Sequence, residues 1–205
     1  MQEADPSQGH QAMRPEKPRM LLHICCGPCS THVVNLLQEE FALTGYFYNP
    51  NIAPAEEFAR RRAALEEYAR SAALTVIHPS YLPSEWLSRI AGLEQEPEGG
   101  ARCLVCFRMR LERAAAQARA DGYAYFATTL SVGPRKCART INSIGRELAD
   151  HYGVQFYEAD FKKQHGFTRS VELSKVLGLY RQGYCGCIYS KDVRRGPVGS
   201  EGTCE

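Results

Sequence analysis

The chain has 205 residues, with 25 Lys and Arg against 23 Asp and Glu, for a net charge of +2. That length suits one domain with a core of its own, needing no covalent staples. The balanced charge does not by itself announce a nucleic-acid partner, and no apolar run reaches the roughly 18 residues of a membrane helix.

Residues 1–18 are polar and rich in Pro and Gln, without the apolar stretch of an export signal. They read as a flexible tail, as do residues 196–205, with one α/β domain between them over 19–195. A cytoplasmic location is the expectation, so thiols stay reduced. The nine cysteines then point to metal or redox chemistry rather than structural disulfides.

"RMLLHIC" predicts a first, apolar strand, and "CSTHVVNLLQEEF" a helix with Val33, Val34, Leu37 and Phe41 at helical spacing. "LTGYFYN" is a second strand. "PAEEFARRRAALEEYARSA" is a helix opened by Pro54 and early acids. "LTVIHPS" is a third strand, and "PSEWLSRIAGL" a helix expected to be capped by Ser84. After the loop "EQEPEGG" comes a long helix, "ARCLVCFRMRLERAAAQARADG", ended by Gly122. "YAYFATTLS" is strand four, "INSIGRELADHYG" a helix, "VQFYEAD" strand five, and "RSVELSKVLGLYRQ" the last helix. Strands separated by helices of this length imply right-handed crossovers and a mostly parallel, Rossmann-like sheet flanked by helices. In such sheets the site lies beyond the carboxyl ends of the strands, where Cys25, Cys26, Thr128, Thr129 and Asp160 fall.

The cysteines form groups: Cys25, Cys26 and Cys29 in "CCGPC"; Cys103 and Cys106 in "RCLVC"; Cys137; and Cys185 and Cys187 in "YCGC". Cys204 lies apart, in the tail. A lone Cys-x-x-Cys fits zinc, an iron–sulfur cluster or a dithiol pair. Adding the strand-end thiols Cys25 or Cys26 to Cys103 and Cys106 suffices for zinc or a [4Fe–4S] cluster. The plainer reading makes some of these, Cys29 and Cys137 first, ordinary buried thiols. Gly27 and Pro28 supply the bend into the helix, whose N-terminus stabilises thiolates. Cys185 and Cys187 are too close for easy ligation of one zinc. A redox-active pair closing a strained ring across Gly186 is favoured over two further ligands.

The segment from Asp160 to Lys191 interleaves Lys162, Lys163, His165, Arg169 and Arg181 with Phe161, Phe167, Tyr180 and Tyr184. Cations beside stacking rings suit single-stranded RNA; the plainer reading is a solvated helix with core-facing aromatics. "ATTLSVGPRK" likewise brings Arg135 and Lys136 past strand four, suited to phosphate. His23, inside an apolar strand, reads as a core histidine; His32 lies nearer the thiols. Asp160 is a candidate proton donor or a loop cap, and Tyr184 a second candidate acid.

"HICCGPC", "RCLVCFRMRL", "ATTLSVGPRK", "DFKKQHGFTRSVELSK" and "LYRQGYCGCIYS", in this order between Leu21 and Lys191, resemble the epoxyqueuosine reductase family of the non-cobalamin type, QueH. The resemblance implies a HUP-type, Rossmann-related domain that reduces epoxyqueuosine to queuosine at the wobble base of transfer RNA. It implies [4Fe–4S] ligands at Cys25, Cys26, Cys103 and Cys106, and a redox-active disulfide of Cys185 with Cys187. A mononuclear iron beside the cluster is also associated with such proteins, and Cys29 stands where it would help hold one. One departure is "VGPRKC" where "SPYK" is expected, which leaves Cys137 without a role. The implied partners are the tRNA anticodon stem-loop, bound through Lys162, Lys163, Arg169, Arg181, Arg135 and Lys136, and an external low-potential electron donor.

No Gly-x-Gly-x-x-Gly fingerprint is present, so electrons must come through thiols or metal. Two other classes compete. An ATP-dependent tRNA-thiolating enzyme would carry a Ser-Gly-Gly-x-Asp-Ser loop after strand one, where this chain has "CCGPCS". A zinc-stabilised RNA-binding module would be colourless, whereas a [4Fe–4S] protein is brown.

Overall fold

A computed structural model describes residues 16–191. The expected tails, apart from Glu16, Lys17 and Pro18, lie outside the described residues, as do residues 192–195 and Cys204.

The first strand, β1 (Arg19–His23), is buried at every position after Arg19. Such a run is stable only between two covered faces. β1 pairs in parallel with β2 (Ala42–Tyr46) on one side and β4 (Tyr125–Thr128) on the other. β3 (Thr75–Ile77) and β5 (Gln155–Phe156) flank them, giving the order β3-β2-β1-β4-β5 with every pair parallel. The chain winds outward from β1 to β3, then returns across β1 to β4. The reversal leaves a crevice beyond the carboxyl ends of β1 and β4.

Alternation along β1 feeds two cores. Leu21 packs with Phe107, Leu111 and Ala115 of α4 (Ala101–Ala120) and Ile141 and Leu148 of α5 (Ala138–Tyr152). Met20, Leu22 and Ile24 pack with Val33 and Val34 of α1 (Gly27–Leu37) and Leu65 of α2 (Ala55–Ser71). Pro54 is the N-cap of α2, with Glu56 and Glu57 in its first turn, the favoured end for acids. Gly122, in the left-handed region at φ +70, follows α4, as its lack of a Cβ allows.

Two expectations need correction. Ser84 does not cap α3 (Pro83–Arg89): Leu82 takes that position and Pro83 opens the helix, because proline's fixed φ suits the first turn. The last helix, expected over residues 169–182, is α6 (Gly166–Val176): it starts three residues earlier and ends six residues sooner. His165, left-handed at φ 63, turns the chain, and Gly166 then passes against the Phe161 carbonyl. A Cβ at Gly166 would overlap that carbonyl oxygen, a backbone atom with little room to yield.

Gly166→Ala should therefore destabilise the fold by about 2 kcal/mol or more. Urea unfolding measures it; an unchanged midpoint would mean that α6 shifts freely on α1.

Candidate functional site

Past β1 the backbone makes one more sheet bond, from Ile24 N–H to the Tyr46 carbonyl at 2.9 Å, and then turns. Cys25 donates its N–H to Thr129 Oγ1 (3.2 Å), Cys26 is the N-cap of α1, and Cys29 sits in that helix's first turn beside Pro28. This bend brings three Sγ atoms within 4.8 Å of one another. Among the described residues it is the one group of three or more His, Cys, Asp or Glu donors gathered so tightly, and Cys103 and Cys106 are not in it. Hydrogen bonds from Cys26 and Cys29, aided by Thr129 and Arg110, outweigh burial and hold the Cys25 thiol well below its ordinary pKa. The proton that Cys26 holds toward Cys25 pushes its own pKa up to about 12. Gln182 donates to Cys26 Sγ at 3.0 Å.

Cys103, Cys106 and Arg110 follow one another at spacings of three and four on α4, so they share a face. Cys106 is buried. Cys103 is half-buried and accepts the Gly99 N–H at 3.2 Å. Both belong to the apolar cluster that also holds Cys25 and Cys187. Arg110 is only 2% exposed. Its Nε donates to the Cys106 carbonyl (3.2 Å) and Nη1 to Asn49 Oδ1 (3.4 Å), while Nη2 has no hydrogen-bond partner among the described residues. The guanidinium is in electrostatic reach of Cys106, Cys185, Cys25 and Cys103. A buried cation without a carboxylate calls for negative charge beside it, and thiolates or an anionic cluster provide it. Sequence reasoning missed Arg110; its signal was its place on the Cys-x-x-Cys face, four residues after Cys106.

The "YCGC" segment is strapped to α2. Arg61 donates from Nη1 to the Cys185 carbonyl (3.0 Å) and from Nη2 to the Tyr184 carbonyl (3.1 Å). Glu57 fixes Arg61 at 2.7 Å, with both side chains buried, and also accepts from the Tyr180 hydroxyl at 2.7 Å. The Ala53 N–H donates to the Gly186 carbonyl at 2.8 Å. Gly186 has φ +114, and a Cβ there would lie 2.8 Å from Arg61 Nη1, so glycine alone fits. Cys185 and Cys187 are both thiols and look to different surroundings. Cys187 is buried in the apolar cluster, where desolvation pushes it up to about 11. Cys185 faces Lys136 Nζ at 3.1 Å; burial would raise its pKa, but Lys136 and Arg110 prevail and lower it.

A cavity of about 240 Å³ opens at this crevice, walled by Cys25, Cys29, Arg110, Lys136, Tyr184 and Cys185 among others. Arg135 and Arg181 also line it; Arg181 is exposed. Lys136 turns inward, over the Phe107 ring and against Cys185. Lys162 binds Asp160 (2.8 Å) and the Lys136 carbonyl (3.1 Å), and neither Lys162 nor Asp160 lines the cavity. Lys163 and Arg169 are exposed. Tyr184 donates its hydroxyl to the Ala53 carbonyl. His23 is a core histidine: its ring contacts Thr128 Oγ1 (2.9 Å) and the Tyr48 carbonyl (3.1 Å), and burial lowers its pKa to about 4.

Residues 20–193 match the family model described as epoxyqueuosine reductase QueH. The chain belongs to the QueH family. The epoxyqueuosine reductase QueH of Streptococcus pyogenes is 40% identical over 180 residues, covering 85% of this chain and 71% of the relative. That of Thermotoga maritima is 38% identical over 180 residues, covering 86% and 92%. Among solved structures, a predicted subunit of tRNA methyltransferase from Methanocaldococcus jannaschii aligns with a TM-score of 0.50 at 14% identity, over 75% of this chain and 76% of that one. It supports the Rossmann-like α/β fold of this QueH chain and nothing finer. No helix among the described residues is long and apolar enough to cross a membrane.

Because Lys136 and Arg110 lower the Cys185 pKa, the thiolate persists below the ordinary thiol range. Replacing Lys136 with Met should move the pH midpoint of Cys185 alkylation upward. Peptide-resolved iodoacetamide labelling over a pH series reads that shift; an unmoved midpoint would remove Lys136 from the role.

Proposed function

We propose that this protein reduces epoxyqueuosine in transfer RNA to queuosine, using an iron–sulfur cluster at the β1–β4 crevice. The observation that carries this reading is the Cys25–Cys26–Cys29 trio, opening on a cavity that Arg110 supplies with positive charge. Family membership names the reaction. Converting the epoxide to an alkene breaks two C–O bonds and releases the oxygen as water, consuming two electrons and two protons.

The donor set fits such a group. It is all thiol, the pKa of one member, Cys25, is held well below the ordinary thiol value by the neighbouring thiols, and a buried guanidinium with a free N–H stands ready to offset anionic charge. Cys25, Cys26, Cys103 and Cys106 are the proposed ligands of a [4Fe–4S] cluster, with Cys29 beside them for a mononuclear iron. When bound, the cluster supplies electrons one at a time from an external low-potential donor. Cys185 and Cys187 are the proposed dithiol–disulfide pair, with Lys136 favouring the Cys185 thiolate. Of the two proton-donor candidates, Tyr184 has the support of lining the cavity. Asp160, tied to Lys162 outside it, lacks that support.

The anticodon stem-loop would enter from the Arg135 and Arg181 side. Phe167, 36% exposed and lining the same cavity, offers a face for an unstacked base. Lys163 and Arg169 extend the cationic surface. Lys162 and Lys136 also belong to the proposed RNA-binding set, but their ammonium groups are engaged inside the protein, so their support is weaker.

Iron and sulfide assays on anaerobically purified protein test the cluster. Cys26→Ser, Cys103→Ser and Cys106→Ser should each lose most of the iron and all turnover; full iron in Cys103→Ser would take α4 out of the site. The double change Cys185→Ser with Cys187→Ser should keep iron and RNA binding but abolish turnover, whereas iron loss would make one of them a ligand.

RNA affinity should fall with salt. Arg181→Gln should lower the log–log slope by about 0.7 to 0.9 if the arginine meets one phosphate. A stem-loop affinity indifferent to salt would contradict this surface.

A further inference from the structure

Eight buried side-chain atoms among the described residues have no hydrogen-bond partner, and five of them belong to residues lining the crevice cavity. They are both amide atoms of Asn51, Ser170 Oγ, Gln182 Oε1 and Arg110 Nη2. Buried polar groups are nearly always satisfied, so orphans gathered around one cavity mark where a ligand's polar groups sit. Arg110 already answers to the thiols. Asn51 and Ser170, 1% and 3% exposed, have side chains that answer to nothing among the described residues.

Asn49, two residues earlier, supplies the contrast. Its Nδ2 donates to the Ile24 carbonyl (2.9 Å) and its Oδ1 accepts from Arg110, so its amide is spent in holding the fold. The Asn51 amide is spent on nothing, yet its backbone is held firmly. The Ile52 N–H bonds the Asn49 carbonyl at 3.2 Å, the Tyr81 hydroxyl donates to the Ile52 carbonyl, and the Ala53 N–H bonds the Gly186 carbonyl. A carboxamide so positioned offers one donor and one acceptor side by side. That pattern suits neutral vicinal hydroxyls. Phosphate would instead be met by the arginines nearer the rim.

We propose that Asn51, assisted by Ser170, is the specificity-determining anchor of the reacting ring, hydrogen-bonding the hydroxyls of the carbocycle that bears the epoxide. This rests on the reductase reading above. It makes these two lining residues readers of the ring rather than of the RNA backbone.

The test uses full-length, anaerobically reconstituted protein and two stem-loop RNAs, one with epoxyqueuosine and one with guanosine at the wobble position. Wild-type protein should prefer the modified RNA. Asn51→Ala and Asn51→Leu should both cut that preference about tenfold, as expected for two lost hydrogen bonds, and Ser170→Ala about threefold. Affinity for the guanosine RNA and iron content should hold in all three variants; Tm should hold in the two Ala variants and rise in Asn51→Leu, because an unsatisfied buried amide is replaced by an apolar group of similar shape. Retained preference in Asn51→Ala would overturn the proposal. So would loss confined to Asn51→Leu, which indicates bulk, or a fall in Tm of several degrees in both Asn51 variants, which indicates an amide satisfied by structural water. If wild-type protein neither prefers nor reduces the modified RNA, the reductase reading fails and this assignment falls with it. Turnover by wild type with preference intact in Asn51→Ala sinks the assignment alone.

Discussion

Burying the Arg110 guanidinium takes a permanent charge out of water. That is a desolvation penalty of several kcal/mol which the surroundings must offset. The protein supplies the Cys106 carbonyl and Asn49 Oδ1, and leaves the remaining charge to the thiols around it. This one demand ties together elements far apart in sequence. α4 brings the cation and two thiols, the loop after β2 brings Asn49, and the turn after β1 brings Cys25. Asn49 binds the Ile24 carbonyl as well as Arg110, so the helix and the strand end are held at one junction.

A second buried charge does a different task. Arg61 is matched by a carboxylate, Glu57, one helical turn earlier, and spends its remaining N–H groups on the carbonyls of Tyr184 and Cys185. Removing one partner of such a pair typically costs about 3–5 kcal/mol, because the other charge is left buried alone. Burial alone would raise the Glu57 carboxyl, but Tyr180, Arg61 and Arg60 outweigh it and hold it below its ordinary value. The strap is therefore intact above the carboxylate range and is lost as pH falls through the lowered Glu57 pKa. A segment with no regular structure is thus fixed by charge where the sheet cannot reach it.

The sheet order makes both arrangements useful. Reversal between β1 and β4 opens the crevice that the thiol turn, Thr129 and the Arg135–Lys136 loop all enter. The end of β1 carries Cys25, and the other sulfurs come from α1, α4 and the irregular YCGC segment. The cations divide by depth: Arg110 and Lys136 face thiols inside, while Arg181, Lys163 and Arg169 face solvent.

Local pattern in the sequence determined the alternation of strands and helices, because apolar period and turn residues act over a few positions. The buried run of β1 and the glycine after α4 were legible in this way. The bend that Gly27 and Pro28 force was legible too, but not that it gathers Cys29 with Cys25 and Cys26 more tightly than Cys103 and Cys106. Local reading failed at the start of α6, which began earlier than expected: His165 turns the chain in the left-handed region and Gly166 passes against the Phe161 carbonyl five residues back. Side-chain partners across the fold were likewise invisible. Only the tertiary structure decided that Lys162 is spent on Asp160, that Lys136 turns in to Cys185, that Arg110 stands among the thiols, and that Asn49 is satisfied while Asn51 is not. The physical reason is that a charge or amide takes its role from the groups that desolvate and meet it, and those groups come from segments tens of residues away.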